Sequence, residues 1–281
     1  MSLRPSQVLG RAAGYLDRHG VDSPTPTAEV LLASVLGTDR AGLYSRAEGL
    51  TTQEAKLFGR ALCRRCTGTP TQHLAGEQGF RRIRLIVRPG VFVPRPETEV
   101  VVDAALEMID LADSAAPIAV DVGTGTGAIG LSLKDERPAV RVFATDLSRQ
   151  AVALARENAS ELGLDVEVLE GDLLEPLPDE LRGRADLIVA NPPYVAPEDA
   201  HTLPADVQAD PPLALFGRLD LYERLFAQAA GWLRSGGSIV VEIGETQGSA
   251  VRGAAERAGF ADVVVRPDLT GRDRVVTGRW Q

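Results

Sequence analysis

Asp121-Val-Gly-Thr-Gly-Thr-Gly127 joins an apolar run, Pro117-Ile-Ala-Val120, to a helical pattern that begins at Ala128. Gly123, Gly125 and Gly127 lack the side chains that keep a backbone away from a ligand. The helix that follows offers unpaired N–H groups at its start. A GxGxG turn between strand and helix is therefore a candidate nucleotide-binding loop, with Thr124 and Thr126 inside it. It is not the dinucleotide fingerprint GxGxxG, because Ala128 stands where that pattern wants its last glycine. A glycine turn that merely links strand to helix would read the same way, so the neighbouring strand ends must decide.

Asp146 closes the next β-rich run, VRVFATD, nineteen residues after Gly127. A carboxylate at that place can accept hydrogen bonds from both hydroxyls of a ribose. Its competing role is to cap the following helix, which Ser148 can do equally well. Asp172 ends DVEVLEGD, where it can accept from an adenine amino group or sit in a solvated turn. Asn191-Pro192-Pro193-Tyr194 follows the fourth run, ADLIVA. Three further β-rich runs, GSIVVEIG, ADVVVRPD and DRVVTGRW, complete the series. Helical stretches lie between several of them: AIGLSLKDE, SRQAVALARENASELG, DLYERLFAQAAGWLRSG and TQGSAVRGAAERAGF. Alternation of this kind gives a parallel sheet with helices on both faces, and ligands bind beyond the C-terminal ends of its strands. Residues 195–212, rich in Pro and Asp, read as a long loop beside that edge.

Upstream the texture differs. Residues 1–76 read as a small helical domain. Val8, Ala12, Tyr15 and Leu16 share a helical face that Gly20 ends, Thr27 can cap a second helix, and Thr51 or Thr52 a third. Residues 77–95 read as a β-hairpin linker, with apolar and polar residues alternating around Pro89-Gly90 in RRIRLIVRPGVFVP. From residue 96 to 281 the chain is the strand–helix domain, entered through Pro96 at a helix start with Glu97 and Glu99 at its positive end.

The 281 residues are 44% hydrophobic and 25% charged, ordinary for a globular protein, and carry a net charge of −9. That balance tilts away from a protein that grips nucleic acid, which usually presents a basic patch. Arg60–Arg65 and the pair Arg81/Arg82 are the local basic stretches, and solvated faces explain them. No apolar stretch is long enough for a membrane span, and MSLRPSQVLGRAAGYLDRHG is unlike a signal peptide, so the expected address is the cytoplasm. Cys63 and Cys66 form a CRRC inside an apparent helix, away from the strand-to-helix start a redox pair needs; with three scattered histidines no metal site is expected.

Asn-Pro-Pro-Tyr at a strand end suits one kind of chemistry. An amide nitrogen is a poor nucleophile because its lone pair is delocalised, and so is an exocyclic base amine. To attack a methyl group it must turn towards sp³ geometry. Two acceptors off the amide plane can hold its N–H groups and aim the lone pair: the Asn191 side-chain oxygen and the Pro192 carbonyl. The two prolines fix φ and preorganise the turn, and Tyr194 can lie flat on the planar group. The methyl donor would be a sulfonium, so the main task is positioning. The attacked amide becomes acidic, so no general base is required.

These residues resemble the HemK/PrmC family, the protein-(glutamine-N5) methyltransferases of peptide chain release factors. The resemblance spans nearly the whole chain: TPTQHLAG at 69–76, VFVPRPETE at 91–99, DVGTGTGAIG at 121–130, NPPY at 191–194, IVVEIGETQG at 239–248 and DLTGRDRVV at 268–276. The PRPETE segment narrows it from amino-methyltransferases in general. It implies a class I S-adenosylmethionine (SAM)-dependent methyltransferase domain, Rossmann-like with a seven-stranded, mostly parallel sheet, preceded by a small helical substrate-recognition domain and the hairpin. It further implies that Gly123, Thr124, Gly125, Thr126 and Gly127 hold the methionine part of SAM, that Asp146 binds the ribose, and that Asp172 and Leu173 flank the adenine. Asn191, Pro192, Pro193 and Tyr194 would hold the substrate glutamine of a Gly-Gly-Gln loop, with Asn191 also against the cofactor. Phe92 and Arg95 would line the entrance; their bland readings are core packing and a surface ion pair. The chain departs from the family in ADPPLALFGRLDLY, where Asp210 replaces a glutamate and Arg218 and Leu221 stand where glycine is usual.

Two other functions fit part of the pattern. A nucleic-acid amino-methyltransferase, acting on adenine N6 or guanine N2, would use the same NPPY corner; the acidic charge and PRPETE speak against it. A SAM-binding protein without turnover would have no need of an intact Asn191. The expected protein is thus a monomeric enzyme acting on a release factor, with no nucleic-acid or membrane partner.

Overall fold

The computed structural model describes residues 3–203 and 207–281; the first two residues and part of the expected 195–212 loop lie outside these. The described chain divides into two compact units. One holds residues 3–78, 87–89 and the described part of 203–209; the other holds 79–86, 90–202 and 210–281.

The first unit is helical: α1 (Pro5–Arg18), α2 (Pro24–Leu36), α3 (Arg40–Ser45), α4 (Thr52–Cys66) and α5 (Thr71–Ala75). On α1 the buried face is Leu9, Ala12 and Leu16, with Val8 and Tyr15 at its margin. Thr51 caps α4 reciprocally with Glu54: the Thr51 hydroxyl oxygen accepts from the Glu54 N–H at 3.2 Å, and the Thr51 N–H donates to Glu54 Oε2 at 2.7 Å. Thr27 does not cap α2. That helix starts earlier, with Pro24 at its first position behind Ser23, because proline's fixed φ already suits a helix start. Leu31, Leu32, Leu43 and Phe58 join the α1 face in one apolar core.

β1 (Glu77–Phe80) and β2 (Ile83–Ile86) form a two-stranded sheet. Its turn is Arg81-Arg82, whereas the sequence reading centred the hairpin on Pro89-Gly90; residues 87–95 carry no strand. Arg81 explains the difference. It adopts φ 49°, a strained value for a side chain, and carboxylates hold it there. Its N–H donates to Glu99 at 3.0 Å, and its guanidinium reaches Glu136 at 2.5 Å and Asp103 at 2.7 Å. Phe80, Ile83 and Leu85 are buried in the core of the larger unit.

After a 3-10 turn over Pro96–Thr98 come α6 (Glu99–Asp110), β3 (Ile118–Val122), α7 (Ala128–Glu136), β4 (Arg141–Asp146), α8 (Arg149–Leu162), β5 (Val166–Glu170) and β6 (Ala185–Ala190). The chain continues through α9 (Pro212–Leu215), α10 (Leu219–Ala229), β7 (Leu233–Glu242), α11 (Gly248–Arg257), β8 (Phe260–Pro267) and β9 (Asp273–Trp280). α10 is shorter than the sequence pattern suggested: it ends at Ala229, and Leu233 already begins β7. The seven-stranded sheet has the order β5-β4-β3-β6-β7-β9-β8, parallel except at β9. Every residue of β6 is buried, the mark of a strand covered on both faces. One face packs Val101, Ala105 and Ile109 of α6 with Leu131 and Leu133 of α7; the other packs Tyr222 and Phe226 of α10 with Val251 and Ala255 of α11. Strand order reverses between β3 and β6, which opens a crevice beyond their C-terminal ends.

Candidate active site

Register aligns the predicted site residues along one edge of the sheet. Val122 pairs with Thr145 of β4 and with Ala190 of β6, so the glycine turn, Asp146 and Asn191 leave three adjacent strands at the same level. Asp146 pairs with Glu170 of β5, which brings Asp172 and Leu173 to that edge as well. Ala190 pairs with Val241, so Glu242 ends β7 beside Asn191.

The glycine turn is built from its own backbone. Gly123, Gly125 and Gly127 have φ of 71°, 59° and 88°, a region that disfavours side chains. A Cβ on Gly123 or Gly125 would meet nothing within 4 Å, so both backbones face open space that a ligand can fill. Thr124 points down instead. Its hydroxyl donates at 2.6 Å to Asp121, which also accepts from the Gly130 N–H at 2.9 Å, pinning loop to helix. Burial pushes the Asp121 carboxyl up to about 6. Thr126 is buried, and its carbonyl accepts from Asn158 at 2.9 Å.

Asp146 accepts from the N–H groups of Gly125 at 2.9 Å and Ser148 at 2.8 Å. Burial raises its carboxyl, and those two N–H groups pull it back. One bond to each oxygen leaves lone pairs for two hydroxyl donors. Ser148 does cap α8, accepting from the Ala151 N–H at 3.3 Å. Leu147, the next residue, is 56% exposed, an apolar side chain at this edge that sequence reading passed over. Leu173 adopts φ 48°, with its carbonyl accepting from the Thr145 hydroxyl at 2.7 Å. Asp172 is ion-paired with Arg224 of α10. These groups suit SAM: an open backbone cradle, a carboxylate with capacity to spare and an apolar side chain beside it.

The Asn191–Tyr194 corner is held on three sides. Asn191 Nδ2 donates to Thr98 Oγ1 at 3.1 Å. Among the described residues neither Asn191 Oδ1 nor the Pro192 carbonyl has a hydrogen-bond partner, so both acceptors are open. The Pro193 carbonyl presses on Gly217, where any Cβ would overlap it. Val195 and Phe216 form a parallel bridge; the Val195 N–H donates to the Leu215 carbonyl at 3.0 Å, and the Val195 carbonyl accepts from the Gly217 N–H at 3.1 Å. Gln247 Nε2 donates to the Tyr194 carbonyl at 3.0 Å, and the Tyr194 hydroxyl lies 3.5 Å from Glu242. Burial, then the Glu242 charge, pushes the Tyr194 hydroxyl up to about 12, so it stays neutral.

Phe92 and Arg95 engage one another, the guanidinium 5.4 Å from the ring centre. Arg95 also binds Asp210 at 2.5 Å, and Asp210 is wholly buried. Thr98, Glu242 and Gly217 are site neighbours that no sequence pattern singled out individually, and Asp210 stood out only as a departure from the family pattern. Among the described residues no cluster of His, Cys, Asp or Glu has a metal-ligating arrangement, and no helix is long and apolar enough to cross a membrane.

Residues 82–252 match the family described as Methyltransferase small domain, and residues 7–76 match the PrmC N-terminal domain. The chain is 45% identical to the release factor glutamine methyltransferase of Moorella thermoacetica, over 98% of this chain and 97% of that one. It is 41% identical to the protein of the same name from Deinococcus radiodurans, over 99% of both. Among solved structures, the catalytic domain of human Mettl16 in complex with an RNA hairpin aligns with a TM-score of 0.55 at 14% identity, covering 81% of this chain and 80% of that one, a likeness of fold alone. A glycine cradle and an open Asn-Pro acceptor pair on a class I methyltransferase sheet, with such relatives over the full chain, identify the protein as a member of the release factor glutamine methyltransferase family.

Proposed function

We propose that this protein transfers a methyl group from SAM to the side-chain amide nitrogen, N5, of the glutamine in the Gly-Gly-Gln motif of peptide chain release factors. The observation that carries the reading is the acceptor pair at Asn191 and Pro192, open beside a glycine cradle on the adjacent strand end. SAM, when bound, supplies a methyl group made electrophilic by its sulfonium. Gly123 to Gly127 receive its methionine part through backbone, Asp146 its ribose hydroxyls, and Leu147, Asp172 and Leu173 its adenine. The substrate amide gives its two N–H groups to Asn191 Oδ1 and the Pro192 carbonyl, which turns the nitrogen lone pair out of conjugation. Pro192 and Pro193 keep those oxygens fixed, so little reorganisation is left for the moment of reaction. Tyr194 covers the amide plane, and Phe92 and Arg95 border the entrance. Residues 1–76 recognise the release factor, 77–95 link, and 96–281 catalyse. The enzyme works as a monomer in the cytoplasm, with no nucleic-acid or membrane partner.

Labelled methyl from SAM should pass to a purified release factor and be lost when its loop glutamine is changed to alanine. Equal labelling of that variant, or preferential labelling of RNA or DNA run alongside, defeats the substrate assignment. Asp146→Ala should weaken SAM binding at least roughly 10- to 100-fold, the loss of one hydrogen bond to a charged group at about 1.5–3 kcal/mol. Calorimetric titration measures it, and an unchanged dissociation constant removes Asp146 from the ribose site.

A further inference from the structure

Glu242 is the last residue of β7 and only 2% exposed. A carboxylate in such a place is costly unless its charge is used or compensated. Its Oε2 has no hydrogen-bond partner among the described residues, and its nearest cation, Arg274, is already paired with Asp268 at 3.2 Å. What Glu242 does have is hydroxyls: Tyr194 at 3.5 Å and Thr98, buried in the PRPETE segment.

A hydroxyl carries one proton. The Thr98 hydroxyl lies beside the Glu242 carboxylate; when it gives its proton to that carboxylate, it can only accept from Asn191. An amide can face an obligate acceptor in one orientation alone, NH₂ first, and Asn191 Nδ2 lies 3.1 Å from Thr98 Oγ1. The oxygen of Asn191 is thereby turned the other way. We propose that Glu242 and Thr98 are positioning residues, and that the chain Glu242–Thr98–Asn191 fixes the Asn191 amide in the one orientation that offers its oxygen to the substrate glutamine. This rests on the amide-acceptor reading above and adds how the acceptor is selected over its own NH₂ group.

Protonation of Glu242 reverses the logic. A neutral carboxyl can donate to Thr98, which frees the Thr98 proton to turn towards Asn191 and favours the flipped amide. The charged and titratable groups around Glu242 are Tyr194 from the turn, Tyr222 from α10, Glu97 from the 3-10 turn and Arg274 from β9, the last held by Asp268. Burial outweighs the hydroxyls and Arg274 and lifts the Glu242 carboxyl to about 7.

Steady-state kinetics of the full chain with SAM and a purified release factor, between pH 6 and 9, test the relay. Thr98→Val should lower kcat about 10- to 100-fold, the usual cost of a misplaced positioning group, with the KM for release factor and the affinity for SAM unchanged. Thr98→Ser should restore kcat. Wild-type kcat should fall as pH drops through about 7, and Glu242→Gln should show a lowered plateau without that limb. A Thr98→Val enzyme with wild-type kcat, or a Glu242→Gln enzyme that keeps the acid limb, overturns the proposal. Asn191→Ala separates the two layers: full activity there sinks the acceptor reading itself, whereas an inactive Asn191→Ala beside a fully active Thr98→Val sinks only the relay.

Discussion

Asn191→Ala should lower kcat about 10²- to 10³-fold, the scale found when one preorganised polar group is removed from a reacting centre. Two structural facts lead there. Among the described residues the side-chain oxygen has no hydrogen-bond partner, and the other acceptor of the pair, the Pro192 carbonyl, belongs to a backbone that the substitution leaves in place. Half of the grip on the substrate amide is therefore lost, and with it the force that turns the nitrogen out of conjugation. SAM affinity should change little, because Gly123–Gly127 and Asp146 lie on neighbouring strands whose hydrogen bonds do not run through Asn191. Single-turnover methylation with a binding titration separates the two quantities. A variant that turns over like the wild type would falsify the acceptor role.

The largest effect on stability should come from Arg95. Its guanidinium faces the fully buried carboxylate of Asp210, which also accepts from the Val93 N–H at 3.3 Å. Arg95→Met takes the guanidinium away from that buried carboxylate, and removing one partner of a buried ion pair typically costs about 3–5 kcal/mol. Because the penalty comes from a buried charge that has lost the Arg95 guanidinium, Arg95→Met with Asp210→Leu should be more stable than Arg95→Met alone. Denaturant midpoints measure both. If the single variant unfolds within about 1 kcal/mol of wild type, the pair is not acting as a buried ion pair. The same interaction gives a structural reason for the Asp210 departure: the residue serves the larger unit from within.

The sheet was legible because its central strands are buried on both faces. Ile188 and Val189 of β6 are fully buried, and such strands read as unbroken apolar runs whatever surrounds them. Asp146 and Asn191 were legible for a related reason: they stand where such runs end, at the edge where ligands bind. The hairpin was misplaced because Pro-Gly is a strong local turn signal, while Arg81 adopts its strained turn through carboxylates at positions 99, 103 and 136. Thr27 was misassigned because Pro24 starts the helix first. Thr98 and Glu242 could not be singled out at all. Thr98 meets Asn191 across 93 residues of chain, and nothing in the spacing of either announces the other.

Gly217 carries a consequence for anyone redirecting this enzyme to a new protein. Its backbone lies flush against the Pro193 carbonyl, and the bridge between Val195 and Phe216 stitches the same segment to the corner. Insertions or loop grafts that shift residues 212–217 would drag the chemistry with them. Retargeting should therefore proceed by exchanging outward-facing side chains such as Leu213, 56% exposed, on a frame whose main chain is left untouched.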